Sequence, residues 1–120
     1  MKSRIVYLCS DLLFTSKIRE TAQALGHTAV AARDVAALPA VARDAAAVIV
    51  DLRRPDALAA LDALRADDAT RDIPAVGFCD HERVELMDEA RRHGCTRVLA
   101  KGKFSSDLKH LLADAPRAAS

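Results

Sequence analysis

One aspartate stands out because it directly follows the strongest apolar run in the middle of the chain. The run covers positions 46–50, with the sequence Ala-Ala-Val-Ile-Val, and Asp51 ends it. The carboxyl ends of the strands in an open α/β sheet share one edge, and ligands bind at that edge. A carboxylate at the tip of a buried strand is therefore the candidate centre of a functional site.

Polar and thiol side chains also follow other apolar runs of the chain, so they would meet Asp51 at the same edge. An aspartate, a lysine and a small polar residue that converge in one crevice could bind or transfer a phosphoryl group. The lysine would neutralise charge, and the small residue would donate a hydrogen bond. The side chains after the first, fourth and fifth runs are Cys9, Ser10, Asp11, Cys79, Asp80 and Lys101.

Strand patterns and helix patterns alternate five times along the chain. Parallel strands need helical crossovers, and these crossovers are right-handed, so the alternation predicts an α/β fold with a doubly wound sheet. A first helix should begin at a cap on Ser10 or Asp11 and end at Gly26. We expect strands at 5–8, 27–32, 46–50, 73–78 and 97–100, and later helices at 34–44, 56–66, 82–93 and from a cap at Ser105 or Ser106.

From length and composition we expect one cytoplasmic domain. The chain has 120 residues, and we expect a domain at 1–115 followed by a tail or the start of a linker at 116–120. The formal net charge of +1 argues against direct binding to nucleic acid or to an anionic membrane. No apolar stretch approaches the roughly 20 residues that span a bilayer. The 3 cysteines have no CxxC spacing, which fits reduced thiols.

With these residues in place, the chain resembles the receiver domain of bacterial response regulators (CheY-like) over nearly its whole length. Asp51, with Pro55 four residues later, matches the phosphoacceptor of that family. The Ile73-Pro74 pair matches the entry to strand four, and Lys101 matches the strand-five lysine. The resemblance implies a flavodoxin-like (βα)5 fold with strand order 2-1-3-4-5. It also implies a role in phosphorelay, or two-component, signal transduction.

This sequence departs most from the pattern of that family at the pair of acids that binds the metal. Family members bind Mg²⁺ through two adjacent acids after strand one, and those positions are Cys9 and Ser10 here. Asp11 comes one residue late, at the start of the helix. Mg²⁺ needs hard oxygen ligands in an octahedral shell, so a site made from Asp11 and Asp51 would be weak at best.

Other departures also concern the phosphoryl group. Cys79 replaces a hydroxyl residue of the family, and a thiol is a poor hydrogen-bond donor. Asp80 occupies a place that the family keeps small and would add a second negative charge. We therefore expect Asp51 to be a structural relic whose charge is balanced by Lys101, with Arg53 as a further candidate. Arg53 and Arg54 could partly substitute for the absent metal charge, but we favour the interpretation that they are solvated loop residues.

These features favour a pseudo-receiver, a receiver-like module that signals by protein contact, is not an enzyme and needs no cofactor. In the family the partner surface lies on helix four, strand five and helix five. The corresponding residues here are Val84, Met87, Val98, Lys103 and Leu108. The partner would be a signalling protein or a sensor kinase, and the same face could instead form a homodimer.

Two alternatives stay open at this point. In the first, the chain is a working receiver that takes phosphate from a histidine kinase onto Asp51 and uses Mg²⁺. In the second, weaker one, Cys9 and Cys79 act as a thiol-based redox sensor. Strand three would separate these two cysteines by two strand spacings, roughly 10 Å, which is too far for a disulfide without backbone movement.

Overall fold

Five parallel strands form a single sheet in the computed structural model, which describes residues 3–114. They pair in the order β2-β1-β3-β4-β5, so the predicted doubly wound fold and strand order are confirmed. The predicted tail at 116–120 lies outside the described residues. The strands are β1 (Arg4–Leu8), β2 (Thr28–Ala31), β3 (Ala47–Asp51), β4 (Ala75–Cys79) and β5 (Arg97–Ala100).

Helices cover both faces of this sheet and bury its alternating side chains in two separate cores. On one face, Ile5 and Ile49 pack with the buried stripes of α1 and α5. On the other, Val48 and Val50 pack with α2, α3 and α4. Among residues 3–114, no helix has the length and apolar character needed to cross a membrane. The helices are α1 (Leu12–Ala24), α2 (Leu38–Ala42), α3 (Ala57–Ala66), α4 (Val84–Arg92) and α5 (Lys101–Ala113).

Asp11 fixes the start of α1, as one of the two predicted caps. Its Oδ1 accepts hydrogen bonds from the backbone N–H groups of Leu13, at 2.9 Å, and Phe14, at 3.2 Å. These bonds satisfy two of the N–H groups that a helix leaves unpaired at its start. The helix is followed by Gly26, whose φ of 84° is in the left-handed region that favours glycine.

The prediction for α2 was wrong in length. The Asp34 carboxylate accepts a hydrogen bond from the N–H of Ala37, at 2.8 Å, and this bond closes a turn where a helix was expected. The helix begins only at Leu38 and ends at Ala42. Pro39 lies in its first turn, where a missing backbone N–H costs little because that group has no helical partner.

The prediction for α5 was wrong at its start. The helix begins at Lys101, directly after β5, and neither Ser105 nor Ser106 caps it. The earlier start makes Phe104 part of the helix, on one stripe with Leu108 and Leu112. All three side chains are buried against the sheet.

Arg65 links three segments at the opposite end of the sheet from Asp51. Its guanidinium donates hydrogen bonds to the backbone carbonyls of Gly94, at 3.0 Å, Arg71, at 2.7 Å, and Ile73, at 2.8 Å. It therefore ties the end of α3 to the loop before β4 and to the turn before β5. A Cβ atom at residue 94 would lie 2.7 Å from the Arg65 side chain, so the turn also packs on it closely.

We expect Arg65→Ala to lower the free energy of unfolding by about 2 kcal/mol, because several carbonyls lose a charged donor together. Urea denaturation followed by circular dichroism measures this change. Arg71→Ala is the matched control, since the Arg71 side chain is exposed and pairs with the exposed Asp68 on the surface. A change in Arg65→Ala no larger than in Arg71→Ala would contradict the linking role.

Candidate functional site

An open crevice of about 550 Å³ lies at the carboxyl ends of β1 and β3. It forms where the loop after β3 faces the loop between β1 and α1. Its walls combine carboxylates with guanidinium groups, so charge pairing determines what the crevice can bind. The lining residues are Ser10, Asp11, Asp51, Arg53, Arg54 and Pro55.

Arg53 holds both oxygens of the Asp51 carboxylate, and this pairing is the centre of the site. Its Nε donates to Oδ1 at 2.8 Å and its Nη2 donates to Oδ2 at 2.9 Å. The backbone N–H of Arg53 also donates to Oδ1, at 3.0 Å. Asp51 is buried, with 4% of its surface exposed. A buried carboxylate needs such charge-assisted bonds to offset its lost hydration.

Arg53 also joins Asp51 to Asp11. The Nη2 atom that contacts Asp51 lies 3.2 Å from Oδ2 of Asp11, while Oδ1 of Asp11 caps α1. The hydrogen bond from the Phe14 N–H, together with the nearby guanidinium, lowers the pKa of Asp11. The hydrogen bond to Asp51 raises the pKa of Arg53, so this group stays charged. Two carboxylates from different strand ends thus converge on a single cationic group.

The guanidinium of Arg53 lies over an aromatic stack that contains all 3 phenylalanines of the chain. Its carbon is 5.2 Å from the ring centre of Phe14 and 5.4 Å from that of Phe78. The Phe78 ring is stacked on those of Phe14, at 4.7 Å, and Phe104, at 4.4 Å. Cation–π attraction therefore adds to the carboxylate bonds in fixing the position of the guanidinium.

The two arginines are not solvated loop residues, so that prediction was wrong. Only 24% of the Arg53 side chain and 21% of the Arg54 side chain are exposed. Arg54 makes its own two-point contact with Asp56, at 2.8 and 2.9 Å, and its Nη1 donates to the Ser10 hydroxyl. This pairing lowers the pKa of Asp56. The two arginines therefore bind different carboxylates, Arg53 those of Asp51 and Asp11 and Arg54 that of Asp56.

Lys101 pairs with Asp80 rather than with Asp51, which corrects the expected partner. Its Nζ lies 2.7 Å from Oδ1 of Asp80. Asp80 follows β4, the strand next to β5, whereas Asp51 belongs to β3, one strand farther away. Both oxygens of Asp51 are already bound by Arg53. The hydrogen bond from Lys101 lowers the pKa of Asp80.

All three cysteines are free thiols in environments that keep the thiol protonated. Burial raises the pKa of Cys9 and of Cys79, and it raises the pKa of Cys95 to about 11. Cys9 contacts Asp51, with its Sγ 3.8 Å from Oδ2 of that carboxylate. The thiolate is the reactive form, so raised pKa values make these thiols weak nucleophiles. This environment argues against the thiol-sensor alternative.

The five predicted partner-face residues differ in how far they reach the surface. Val84 is 58% exposed, and Lys103 is exposed as well. Met87 and Val98 are half-buried and pack against the core beneath α4. Leu108 is fully buried in the core under α1 and α5, so its assignment to the partner face was wrong. It shares the inward stripe of α5 and has no surface to offer.

Sequence reasoning named Arg53 only as a second candidate after Lys101, and it missed the phenylalanine stack below the guanidinium. The signal available was the spacing of Asp51 and Arg53, two residues apart just past the end of a strand. An aspartate there readily accepts a hydrogen bond from the backbone two residues on, which turns the chain back toward the carboxylate. Phe104 was missed because the start of α5 was placed after it.

Comparison with known proteins establishes the fold. No family model and no curated protein sequence matches this chain. The chemotaxis protein CheY4 of Vibrio cholerae superposes with a TM-score of 0.81 at 18% identity, covering 97% of this chain and 100% of that one. A response regulator from Hahella chejuensis gives 0.80 at 15% identity, covering 93% of both chains. The chain therefore has the receiver-domain fold, and the predicted resemblance is confirmed at that level.

A third similar structure allows the site to be tested for magnesium. It is the receiver domain of sensor histidine kinase PA1611 from Pseudomonas aeruginosa, with magnesium coordinated in its active-site cleft. Its TM-score is 0.78 at 19% identity, covering 93% of this chain and 95% of that one. Here the carboxylates of Asp11 and Asp51 converge on Nη2 of Arg53. The guanidinium already occupies the position between the two carboxylates that a magnesium ion would need. The residues present therefore do not fit magnesium.

We expect Lys101→Met to raise the pKa of Asp80 toward the ordinary aspartate value of about 3.9, because the hydrogen bond that depresses it is lost. A depressed pKa in the folded state stabilises the protein at neutral pH, and this stabilisation disappears as the pH falls through the acid range. NMR titration of the Asp80 carboxyl carbon measures the shift.

Lys103→Met is the control for that titration, since Lys103 pairs with Asp107 one helical turn on. It removes the same charge from the same helix and should leave the titration of Asp80 unchanged. An unaltered titration of Asp80 in Lys101→Met would contradict the pairing.

Proposed function

We propose that this chain is a receiver-like module of two-component signal transduction that acts by protein contact and carries out no phosphoryl transfer. One observation carries the proposal: the guanidinium of Arg53 binds both oxygens of Asp51. A carboxylate acts as a nucleophile through a free oxygen aligned with the phosphorus atom. Phosphorylation of Asp51 would first require this two-point contact to break inside a buried site.

The groups around Asp51 support the same conclusion. Transfer of a phosphoryl group needs positive charge and hydrogen-bond donors directed at its oxygens. Lys101 is engaged by Asp80, and Arg53 by Asp51 and Asp11. Cys79 is buried and offers only a weak thiol donor. The crevice therefore has its cations already neutralised by its own acids.

Signalling would then depend on the exposed surface that α4, β5 and α5 contribute. Val84 and Lys103 are its exposed members, and Met87 and Val98 support it from below. An open depression of about 460 Å³ at the start of α4 includes Val84 and the neighbouring acids Glu82 and Glu85. We propose that a sensor kinase or another signalling protein docks on this face.

Exposure to acetyl phosphate and Mg²⁺, followed by intact-mass measurement, tests the proposal. We expect no gain of a phosphoryl group, since Arg53 binds both oxygens of Asp51 and lies between Asp51 and Asp11. A phosphorylatable receiver domain treated in parallel is the positive control. A gain of one phosphoryl group that disappears in Asp51→Asn would overturn the proposal and establish the phosphoacceptor alternative.

Partner binding should be independent of the phosphodonor and dependent on the exposed face. We expect Val84→Asp to weaken binding of a co-purifying signalling partner by about tenfold or more, because a charge replaces an apolar contact. Titration calorimetry with and without acetyl phosphate measures both properties. Leu12→Asp, at an apolar position of α1 that is 81% exposed, is the control and should bind normally. Binding that requires the phosphodonor would contradict contact-only signalling.

A further inference from the structure

The crevice does not fit magnesium for a specific structural reason. We propose that the guanidinium of Arg53 is the cation that occupies the crevice. In this proposal Arg53 masks a divalent-cation site formed by Asp11 and Asp51, and a neutral side chain at position 53 opens it. The inference rests on the proposed function, because both attribute the closed state of the crevice to the same contact.

The first observation is the convergence of two carboxylates on one atom. Nη2 of Arg53 lies 2.9 Å from Oδ2 of Asp51 and 3.2 Å from Oδ2 of Asp11. Two carboxylates this close repel each other unless a cation lies between them. The chain supplies that cation from the side chain of Arg53, two residues after Asp51, so no ion from solution is needed to offset the repulsion between the two acids.

The second observation is that the remaining ligands suit a hard ion once the arginine is gone. Mg²⁺ in proteins commonly keeps several waters and binds through one or two carboxylates. Oδ2 of Asp11 and Oδ2 of Asp51 would lose their guanidinium partner beside a crevice of about 550 Å³, which has room for water ligands. Oδ1 of Asp11 stays on the α1 backbone, so the start of the helix holds this carboxylate in position.

The third observation explains why the ion does not displace the arginine in the natural chain. The guanidinium is fixed by two-point contact with Asp51 and by the rings of Phe14 and Phe78. A planar fork that is already in place loses little entropy on binding a carboxylate. A dissolved ion must break these contacts and lose part of its hydration shell. The intramolecular cation therefore wins at ordinary ion concentrations.

Arg54 provides a control that distinguishes two effects of removing Arg53, the vacated position between the two acids and the loss of one positive charge. It carries the same charge one residue later, but its guanidinium contacts Asp56 and Ser10 and leaves the position between Asp11 and Asp51 alone. Removing it changes the net charge of the crevice by the same amount as removing Arg53. Only the removal of Arg53 vacates the position between the two acids.

Calorimetric titration with Mg²⁺, paired with thermal unfolding at rising Mg²⁺, tests the inference on purified protein. We expect Arg53→Met to bind Mg²⁺ at least about tenfold more tightly than the natural chain and to gain thermal stability from it. Arg54→Met should behave like the natural chain. The double variant Arg53→Met with Asp51→Asn should lose the gain, because a ligand oxygen charge is removed.

Three results would overturn the masked site. They are tight Mg²⁺ binding by the natural chain, no gain in Arg53→Met, and an equal gain in Arg54→Met. If Arg53→Met does not fold, Arg53→Gln undergoes the same titration and the same criteria apply. Failure here, with the natural chain still inert to acetyl phosphate, leaves the proposed function standing. Phosphorylation of the natural chain overturns the proposed function whatever the variants bind.

Discussion

The rest of the site depends on the two-point contact between Asp51 and Arg53. A carboxylate buried at the end of a central strand cannot stay charged without a cation and hydrogen-bond donors, because burial removes its hydration. This chain supplies both from a residue two positions later. The same guanidinium reaches Asp11 and lies on the phenylalanine stack, so β1, β3 and the core below α1 and α5 meet at one group.

Once Asp51 is neutralised locally, the remaining charges of the crevice pair among neighbours. Lys101 turns to Asp80 on the adjacent strand, and Arg54 turns to Asp56 within its own loop. No cation or acid among these residues is left to receive a phosphoryl group or an ion. The chain has the receiver-domain fold, and the charges at its strand ends are paired with one another. This pairing is the reason that we propose signalling by contact with a partner and not by phosphoryl transfer.

Much of the fold could be read from sequence because it is encoded in local patterns. Apolar runs and helical spacing identified all five strands, and Asp11 and Gly26 marked the ends of α1. The errors arose where contacts between residues far apart in the sequence determine where a helix starts or which side chains pair. Ser105 and Ser106 resemble helix caps, but β5 leads straight into α5, and Phe104 is buried on the sheet. The choice between Arg53 and Lys101 as partner of Asp51 depends on side-chain reach across strands, which spacing alone does not encode.

A crystal structure of the natural chain grown with Mg²⁺ and beryllofluoride tests the central claim most directly, because it shows the occupant of the crevice under conditions that favour phosphoryl mimicry. The account predicts that the Arg53 guanidinium remains on both oxygens of Asp51, with no ion between Asp51 and Asp11. Beryllofluoride bonded to Asp51, with a magnesium ion beside it and Arg53 displaced into solvent, would contradict it.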